Sequence, residues 1–555
     1  MRRSSVTMAA VIVGSGVLLS SPPAQAGRDL HTAGGAPTGA WGPSVPFQER
    51  VASSPVVGGG YPGAHPAPGG CVEGRYDSNF SESALALRPH SEQLVGGAKA
   101  YFQKWSTFKA QHTVSFAFEK GRVSTHVVGG FDCVTTGTQD MPPSWTNVTD
   151  PNLVWDTRGR VHQLALPYNA YWGSVTKPNG NIVGLYSDDG GRSWVKGNGG
   201  APVQSGPKRS VDSRFYLDKP WITANQNPSS PWRDHVYGVW VEFTDSAPQI
   251  HTAVSRDRGA TWTAPQDVPT PTVLGSANPW PMIAVGPDGV VYLSYVTYGA
   301  TRADGSVRAT LWSARSTDDG RTWSANTKVS DTTTVGGSLV PGTTLHRSVV
   351  QYLAVSPDRP GHLYLAWNEM RAGQVDIRLA ASTDGGLTWS APVLVNDDSA
   401  GANQFSATVA AGPKGAVAVA FYDFRARCPT DGAAILPRNR GRAGACIGLT
   451  LQAYRDQGGI LKPPGHNVMV SRQLWDPYQP GQTRDGLSQL ACESPGAFCS
   501  DIFLGDYFSM QVSANNVYVL SSSTAPPSHV MGDDDDPIHY QQQVLTTVER
   551  RRLGL

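Results

Sequence analysis

Short runs of alternating hydrophobic and polar residues, separated by turns that contain glycine and proline, recur along most of the chain. This period-two pattern predicts half-buried β-strands. The clearest runs are rich in valine, tyrosine and tryptophan, and we interpret each as the second strand of a repeated unit. They cover residues 94–102, 161–168, 236–243, 291–298, 363–370, 417–424 and 517–523.

A shorter apolar run precedes each of these strands and is joined to it by a tight turn, such as Gly286-Pro287-Asp288-Gly289. Seven units of four strands would close into a ring, which leaves only short, protected strand edges. The chain is therefore predicted to be all-β, a single β-propeller with seven blades. If the first unit only caps the ring, the number is six. The units cover approximately residues 75–135, 147–205, 212–270, 275–332, 345–397, 402–472 and 500–549.

One octet, Ser-x-Asp-x-Gly-x-(Thr/Ser)-Trp, occurs four times, each time between two predicted strands. The copies are residues 187–194, 255–262, 316–323 and 382–389. The serine and aspartate side chains can bond nearby backbone N–H groups, the glycine allows a positive φ, and the tryptophan ring can cover the hairpin. The octets predict turns between the third and fourth strands of their blades.

These octets resemble the Asp box, or bacterial neuraminidase repeat, of sialidases and related β-propellers. The resemblance implies the propeller architecture, with the boxes away from any catalytic centre. Sialidases have six blades, and the Arg-Ile-Pro motif that supplies their first arginine is absent from this sequence. No counterpart of their tyrosine and glutamate nucleophile pair is identified. The resemblance therefore transfers no sialidase catalytic residue to this chain.

Charge and composition narrow the partners that we expect. The chain has 45 basic and 44 acidic residues, a formal net charge of +1, which gives no support for nucleic acid or an anionic membrane as the main partner. Its 61 glycines and 42 prolines fit many short strands joined by turns. We expect a monomer that acts on a glycan or polysaccharide.

The N-terminus has the pattern of an export signal, with Arg2 and Arg3, an apolar stretch over 6–19 and the small-residue cleavage site Ala24-Gln25-Ala26. We predict a secreted, extracellular protein. The predicted organisation is a signal peptide over 1–26, a Gly/Pro/Ala-rich linker or arm over 27–70 and the propeller domain over 71–550.

Six cysteines in an exported chain favour disulfides over zinc ligation, because no metal-ligand spacing is present. Sequence proximity favours Cys428 with Cys446 and Cys492 with Cys499, which leaves Cys71 with Cys133. No cofactor is predicted. The acidic run 533–536 is a weak candidate for Ca²⁺, because it lacks the alternating spacing of an EF-hand loop, and a solvated turn is favoured.

Adjacent strands of a blade run in opposite directions, so the starts of the inner strands and the ends of the second strands lie on the face opposite the boxes. Asp218 and Asp506 share one register at the inner-strand starts, with Glu82 and Asp150 displaced by one residue. Neighbouring carboxylates in a desolvated cleft shift one another's pKa, as glycosidases require. The candidate catalytic residues are Asp218, Glu242, Glu369, Tyr422, Asp423 and Asp506.

Arginine side chains on that face can grip an acidic sugar with paired hydrogen bonds. The candidate substrate-binding residues are Arg347, Arg371, Arg425 and Tyr507. The leading hypothesis is a secreted glycoside hydrolase, a sialidase-like exo-glycosidase of terminal sugars. Two alternatives stay open. One is a polysaccharide lyase that uses His346 or Tyr422 as its base beside an arginine, and the other is a non-catalytic propeller that binds glycan or protein.

Overall fold

The alternating apolar pattern produces seven antiparallel sheets that succeed one another along the chain in a computed structural model. The structure describes residues 41–53, 79–101, 111–119, 121–128, 147–168, 180–206, 216–244, 247–271, 279–303, 305–335, 340–346, 351–399, 401–432, 435–478, 502–525 and 541–555, and the backbone of four short strands between them.

The first strand, β1 (Phe47–Val51), precedes the first blade, and each blade from the first to the sixth is then built in chain order. The first blade contains β2 (Phe80–Leu87), β3 (Leu94–Tyr101), β4 (Gln111–Glu119) and β5 (Arg122–Val127). The second contains β6 (Asn147–Trp155), β7 (Val161–Tyr168), β8 (Asn181–Ser187), β9 (Val195–Lys196) and β10 (Gln204–Ser205). The third contains β11 (Tyr216–Ala224), β12 (Val236–Phe243), β13 (Gln249–Ser255) and β14 (Gln266–Asp267).

The next three blades repeat the same antiparallel order. The fourth contains β15 (Met282–Val285), β16 (Val291–Thr301), β17 (Ser306–Ser316) and β18 (Thr327–Val335). The fifth contains β19 (Gln351–Val355), β20 (Leu363–Arg371), β21 (Gln374–Ser382) and β22 (Val393–Leu394). The sixth contains β23 (Gln404–Gly412), β24 (Ala416–Asp423), β25 (Gly448–Gln457), β26 (Ile460–Lys462) and β27 (Val468–Met469).

The chain also forms two short hairpins, one before the segment of the last blade and one within it. They are β28 (Thr483–Arg484) with β29 (Leu487–Ser488), and β32 (Pro527–Ser528) with β33 (Ile538–His539). The helices of the described residues are 3-10 turns at Asn198–Gly200, Pro413–Gly415, Pro437–Asn439 and Arg550–Leu553. No helix in this part of the chain is long and apolar enough to cross a membrane.

The seventh blade closes the ring with strands from both ends of the chain. It contains β30 (Ser509–Val512), β31 (Asn516–Ser523) and β34 (Gln542–Glu549), and β1 pairs antiparallel with β34 as the outermost strand. Closure of this kind ties the two ends of the propeller together and leaves only short, protected strand edges. The segment predicted as a linker or extended arm thus contributes a strand, and the first unit is a complete blade, so the count of seven is confirmed.

The predicted octets form turns with one hydrogen-bond pattern. In the last copy, Ser382 Oγ donates to Asp384 Oδ1 at 2.8 Å and accepts the N–H of Gly386 at 2.9 Å. Thr388 donates its backbone N–H to Asp384 Oδ1 at 2.9 Å. The tryptophan reaches further than expected, because Trp389 Nε1 donates to Ser313 Oγ of the preceding blade at 3.0 Å. The octet therefore fixes both its own hairpin and the packing between blades.

A second contact, which we call the inter-blade latch, joins the third and fourth blades. Asp319, in the fourth-blade octet, accepts hydrogen bonds from His235 Nδ1 at 2.8 Å, Tyr237 Oη at 2.8 Å and Arg256 Nε at 2.9 Å. Burial alone would raise the pKa of Asp319, but these three donors outweigh it and lower the pKa. His362 and Tyr364 bind Asp456 of the sixth blade in the same way, at 2.6 Å each.

Replacing Asp319 with asparagine is expected to lower the free energy of unfolding by about 1–3 kcal/mol, because an amide cannot accept all three donors. A carboxyl whose pKa is lowered by folding stabilises the protein above its unfolded pKa, and that stability is lost as the pH falls through the folded pKa. The difference in the free energy of unfolding between the variant and the unmodified protein should therefore be smaller at acid pH. Urea unfolding at several pH values measures it, with exposed Asp331→Asn as the control.

Candidate functional site

The inner strands share a backbone irregularity at the end opposite the octets. Five blades place a non-glycine residue with φ between 48° and 56° at one register of the inner strand. Strand pairing skips two residues there in β2, β6, β11 and β23. Left-handed backbone at such residues costs about 1–3 kcal/mol each, so the surrounding fold must impose it. The five residues are Glu82, Asp150, Lys219, Trp280 and Ser406.

Lys219 is the centre of a buried group of charges, the mouth cluster, which we define as Glu82, Lys99, Asp150, Asp218, Lys219, His346 and Asp506. Its Nζ atom lies 3.4 Å from Asp150 Oδ2 and 3.8 Å from Asp218 Oδ1. Lys219 also contacts Asp506 directly through Oδ2. Two blades and the segment before β30 therefore supply carboxylates to one ammonium group. The lysine provides the positive charge without which these carboxylates would repel one another.

The mouth cluster continues around the axis through the first and fifth blades. Lys99 Nζ lies 2.9 Å from Glu82 Oε2 and 4.8 Å from the centre of the Phe503 ring. His346 Nε2 lies 3.4 Å from Asp506 Oδ1, so Asp506 contacts both an ammonium and an imidazole. Four carboxyl groups thus share two lysines and one histidine in a volume that is largely closed to water.

The environment separates the pKa values of two of these carboxyl groups. Burial, opposed by Lys219 and reinforced by repulsion from Asp150 and Asp506, raises the pKa of Asp218 to about 7. Burial would also raise the pKa of Asp506, but Lys219 and then His346 outweigh it and hold the pKa well below its usual range. Near neutral pH, Asp218 is therefore partly protonated whereas Asp506 is ionised. Burial, followed by repulsion from Asp150, also raises the pKa of Glu82.

Aromatic rings line the mouth cluster. Lys219 Nζ lies 4.8 Å from the centre of the Trp280 ring, and Tyr507 packs edge-on against Trp221 at 5.3 Å. Tyr507 Oη donates to the carbonyl of Pro151 at 2.8 Å, which fixes its ring beside Asp506. Below these rings, the inner strands enclose a central channel of about 220 Å³. The rings therefore form a floor between the charged mouth and this channel.

The cluster is most accessible at the start of β11. The Asp218 side chain is 10% exposed and that of Lys219 is 9% exposed, compared with 0% for Glu82. Asp218 is held there by the backbone N–H of Lys219, which donates to its Oδ1 at 2.9 Å. The protonated carboxyl group is thus the one that a ligand at the mouth would meet first.

The structure brings Asp218 and Asp506 together, as their shared register suggested, with Tyr507 beside Asp506. It separates the carboxylates at the ends of the second strands. Glu242 accepts from His251 Nε2 and Gln204 Nε2, both at 2.9 Å, and the His251 bond lowers its pKa. Glu369 accepts from Arg378 Nε at 2.6 Å. Neighbouring strands therefore supply the partners of these two residues.

Asp423 belongs to a third local network, in the sixth blade. It is fully buried and accepts from Arg425 Nε at 2.6 Å, and burial raises its pKa. The same arginine reaches Asp397 Oδ1 at 2.6 Å, so Arg425 joins loops of the fifth and sixth blades. Tyr422 is buried and donates to the carbonyl of Ser522 at 3.0 Å, a contact between the sixth and seventh blades.

The remaining predicted residues are less informative about the site. Arg371 is exposed at the end of β20. Arg347 lies outside the described residues, as do the predicted signal peptide, the acidic run 533–536 and four of the cysteines. The predicted Cys428–Cys446 disulfide is confirmed, with an S–S distance of 2.05 Å.

Two lysines of the cluster escaped the sequence analysis. Lys219 follows Asp218 in a strand that is mainly apolar. A charged residue at such an inner-strand position could have indicated a buried ion pair. Lys99 is the matching case in β3, where the other residues are small or apolar. Charged residues inside an apolar strand of a closed barrel-like array are almost always paired, so each lysine predicted a carboxylate partner.

No protein-family model matches the chain. Similar solved structures include polysaccharide lyase Uly1, at 9% identity over 91% of this chain and 97% of that chain, with a TM-score of 0.43. The α-L-arabinofuranosidase of Fusarium graminearum matches at 13% identity over 61% of this chain and 94% of that chain, with a TM-score of 0.33. Trypanosoma rangeli sialidase matches at 13% identity over 78% of this chain and 57% of that chain, with a TM-score of 0.35. These similarities do not assign an activity to this chain.

Proposed function

We propose that the protein is a glycoside hydrolase whose reaction takes place at the mouth cluster. The observation that carries this proposal is the pair Asp218 and Asp506, which flank one ammonium group and have pKa values moved in opposite directions. A carboxyl pair with separated pKa values is what glycosidic bond cleavage requires, because one member must donate a proton while the other stays charged.

The roles of the two residues follow from their protonation. Asp218, with its pKa raised to about 7 and its exposed edge toward the mouth, is the general acid that protonates the leaving oxygen. Asp506 stays ionised, and it stabilises the positive charge that develops on the sugar or activates the attacking water. Lys219 holds Asp506 in its charged form and keeps both carboxylates in position.

The aromatic floor is consistent with a sugar as the ligand. Trp280, Tyr507 and Trp221 lie next to the carboxyl pair, and aromatic side chains with a few polar groups among them are the usual lining of a ligand site. We further propose that the protein acts outside the cell, since the N-terminal sequence has the pattern of an export signal. A polysaccharide in the surroundings of the cell is then the natural substrate class.

Incubation with a panel of poly- and oligosaccharides tests the reaction class. Hydrolysis releases reducing ends without an unsaturated product, whereas elimination produces ultraviolet absorbance from a new double bond. We expect reducing ends alone, from at least one member of the panel. Unsaturated products would instead support a lyase that uses His346, and binding without turnover would support a non-catalytic propeller.

Replacing Asp218 with asparagine tests the general acid. We expect turnover of an identified polysaccharide to fall by about 10²–10⁴-fold, because the leaving oxygen is no longer protonated. Aryl glycosides with acidic phenol leaving groups need no such proton, and the variant should retain a much larger share of its rate on them. Equal losses on both substrate types would contradict the role of Asp218.

A further inference from the structure

The loop that joins β24 to β25 projects from the face that carries the mouth cluster. It begins directly after Asp423, which pairs with Gln404 at the start of the inner strand β23. Inner-strand starts lie on the mouth face, so the loop emerges there. The Cys428–Cys446 disulfide closes its base.

The loop is rigidly anchored. Cys428 donates its backbone N–H to the carbonyl of Arg442 at 2.8 Å, which pairs the two arms of the loop. At the tip, Asn439 Nδ2 donates to Asp476 Oδ2 at 2.7 Å, and the same carboxylate oxygen accepts the N–H of Leu436 at 3.2 Å. Asp476 is completely buried. The described backbone of this loop is therefore held at its base and at Leu436 and Asn439.

The loop is positively charged. It carries four exposed arginines and a single acidic residue, Asp431. In the described part of the chain, none of the four forms an ion pair. Three of them donate hydrogen bonds to uncharged groups of the loop, such as Gly441 O and Gly432 O. The four, which we call the arginine loop, are Arg427, Arg438, Arg440 and Arg442.

A chain of contacts connects the arginine loop to the carboxyl pair. Ile447, at the base of the loop, donates its N–H to the carbonyl of Trp475 at 2.8 Å. Tyr478, three residues later, accepts the N–H of Thr344 through its hydroxyl at 3.2 Å. Two residues beyond Thr344, His346 contacts Asp506. Successive contacts between neighbouring chain segments thus connect the base of the loop to Asp506.

We propose that the arginine loop binds the anionic groups, carboxylate or sulfate, of a polysaccharide whose glycosidic bond is cleaved at the mouth cluster. The inference rests on the proposed function and names its substrate class. Guanidinium groups form paired hydrogen bonds with such anions, and a rigid loop loses little conformational entropy on binding. A polysaccharide with spaced charges can present anions to the arginines and an uncharged acetal oxygen to Asp218.

The test compares a variant in which the four loop arginines are replaced by glutamine with the unmodified protein. We expect its affinity for polygalacturonate or for dextran sulfate to fall at least about tenfold at low salt, and the salt dependence of binding to decrease. The two polymers distinguish a carboxylate from a sulfate ligand. The matched control replaces four exposed arginines of the opposite face, Arg192, Arg321, Arg551 and Arg552, and should bind like the unmodified protein.

Unchanged affinity for both polymers in the arginine-loop variant would overturn the inference, as would an equal loss in the control. Tighter binding of single-stranded DNA or anionic vesicles than of either polymer would overturn it in favour of another partner. The proposed function is judged separately. Asp218→Asn should bind the anionic polymer normally but cleave it far more slowly, so normal cleavage by that variant would reject the mouth cluster as the place of the reaction whatever the binding results.

Discussion

Replacing Asp506 with asparagine is expected to reduce kcat on the identified polysaccharide by about 10²–10⁴-fold. The amide carries no charge with which to stabilise a developing positive centre, and it cannot accept a proton from water. Asp506 contacts Lys219 and His346, so the substitution also removes the anion that both groups face. Steady-state kinetics with the purified variant measure the loss, and circular dichroism checks that the propeller is still folded.

Glu369→Gln is the comparison for this experiment. Glu369 also lies near the mouth face, but it is bound by Arg378 and Thr332 and stands apart from Lys219. A much smaller loss of kcat is therefore expected. If the two variants are equally impaired, or if Asp506→Asn keeps its kcat, the reaction does not depend on the carboxylates around Lys219.

The pH dependence of the proposed hydrolysis by the unmodified protein should reflect the ionisation of Asp218 and Asp506. Because the pKa of Asp218 is raised to about 7, the rate should fall as the pH rises above about 7 and the acid loses its proton. Because the pKa of Asp506 is held well below its usual range, activity should persist below the pH at which ordinary carboxylates become protonated. The alkaline decline should be absent from Asp218→Asn.

The fold could be predicted from the sequence because each blade repeats the same local pattern. The second strands lie within a residue or two of the predicted runs at most ends, since alternation and turn residues are both local signals. The octets mark the turn between the third and fourth strands of a blade, so they indicate the direction of every strand. The strand directions predict the face on which Asp218 and Asp506 meet. The strand β1 was not predicted, because its pairing with β34 joins residues from opposite ends of the chain.

The site could be predicted only in part, because its geometry depends on contacts between blades. Register placed Asp218 beside Asp506, but the left-handed backbone that turns Glu82, Asp150 and Lys219 inward has no local sequence signature. The same limitation affects Glu242 and Asp423. Their positions at strand ends were correctly identified, but their partners, His251 and Arg425, come from contacts that register alone does not reveal.

The carboxylates on the two faces of the propeller differ in their partners. On the octet face, carboxylates such as Asp319 and Asp384 accept several hydrogen bonds each and hold blades or hairpins together. On the mouth face, the carboxylates converge on Lys219. Burial raises the pKa of Asp218, whereas Lys219 and His346 lower the pKa of Asp506. A carboxylate satisfied by local donors stabilises the fold, whereas one that shares a cation with its neighbours is available for proton transfer.

Replacing Lys219 with methionine is expected to lower the free energy of unfolding by about 3–5 kcal/mol at neutral pH, because buried carboxylates lose their shared cation. The dependence on pH should also change. Without the ammonium, burial and mutual repulsion would raise the pKa values of Asp218 and Asp506 above those of the unfolded chain. Groups with raised carboxyl pKa values destabilise the folded state above the unfolded pKa, so the variant should be most stable in acid and lose stability as the pH rises.

Urea unfolding between acid and neutral pH measures this effect, with Lys328→Met as the control. Lys328 is exposed and pairs with Asp331 at 2.9 Å, so its loss should cost less than about 1 kcal/mol at any pH. A Lys219 variant as stable as the control at neutral pH would mean that the carboxylates do not depend on Lys219 for their charge. In that case the lowered pKa of Asp506, on which the proposed hydrolase depends, would lose its main physical cause.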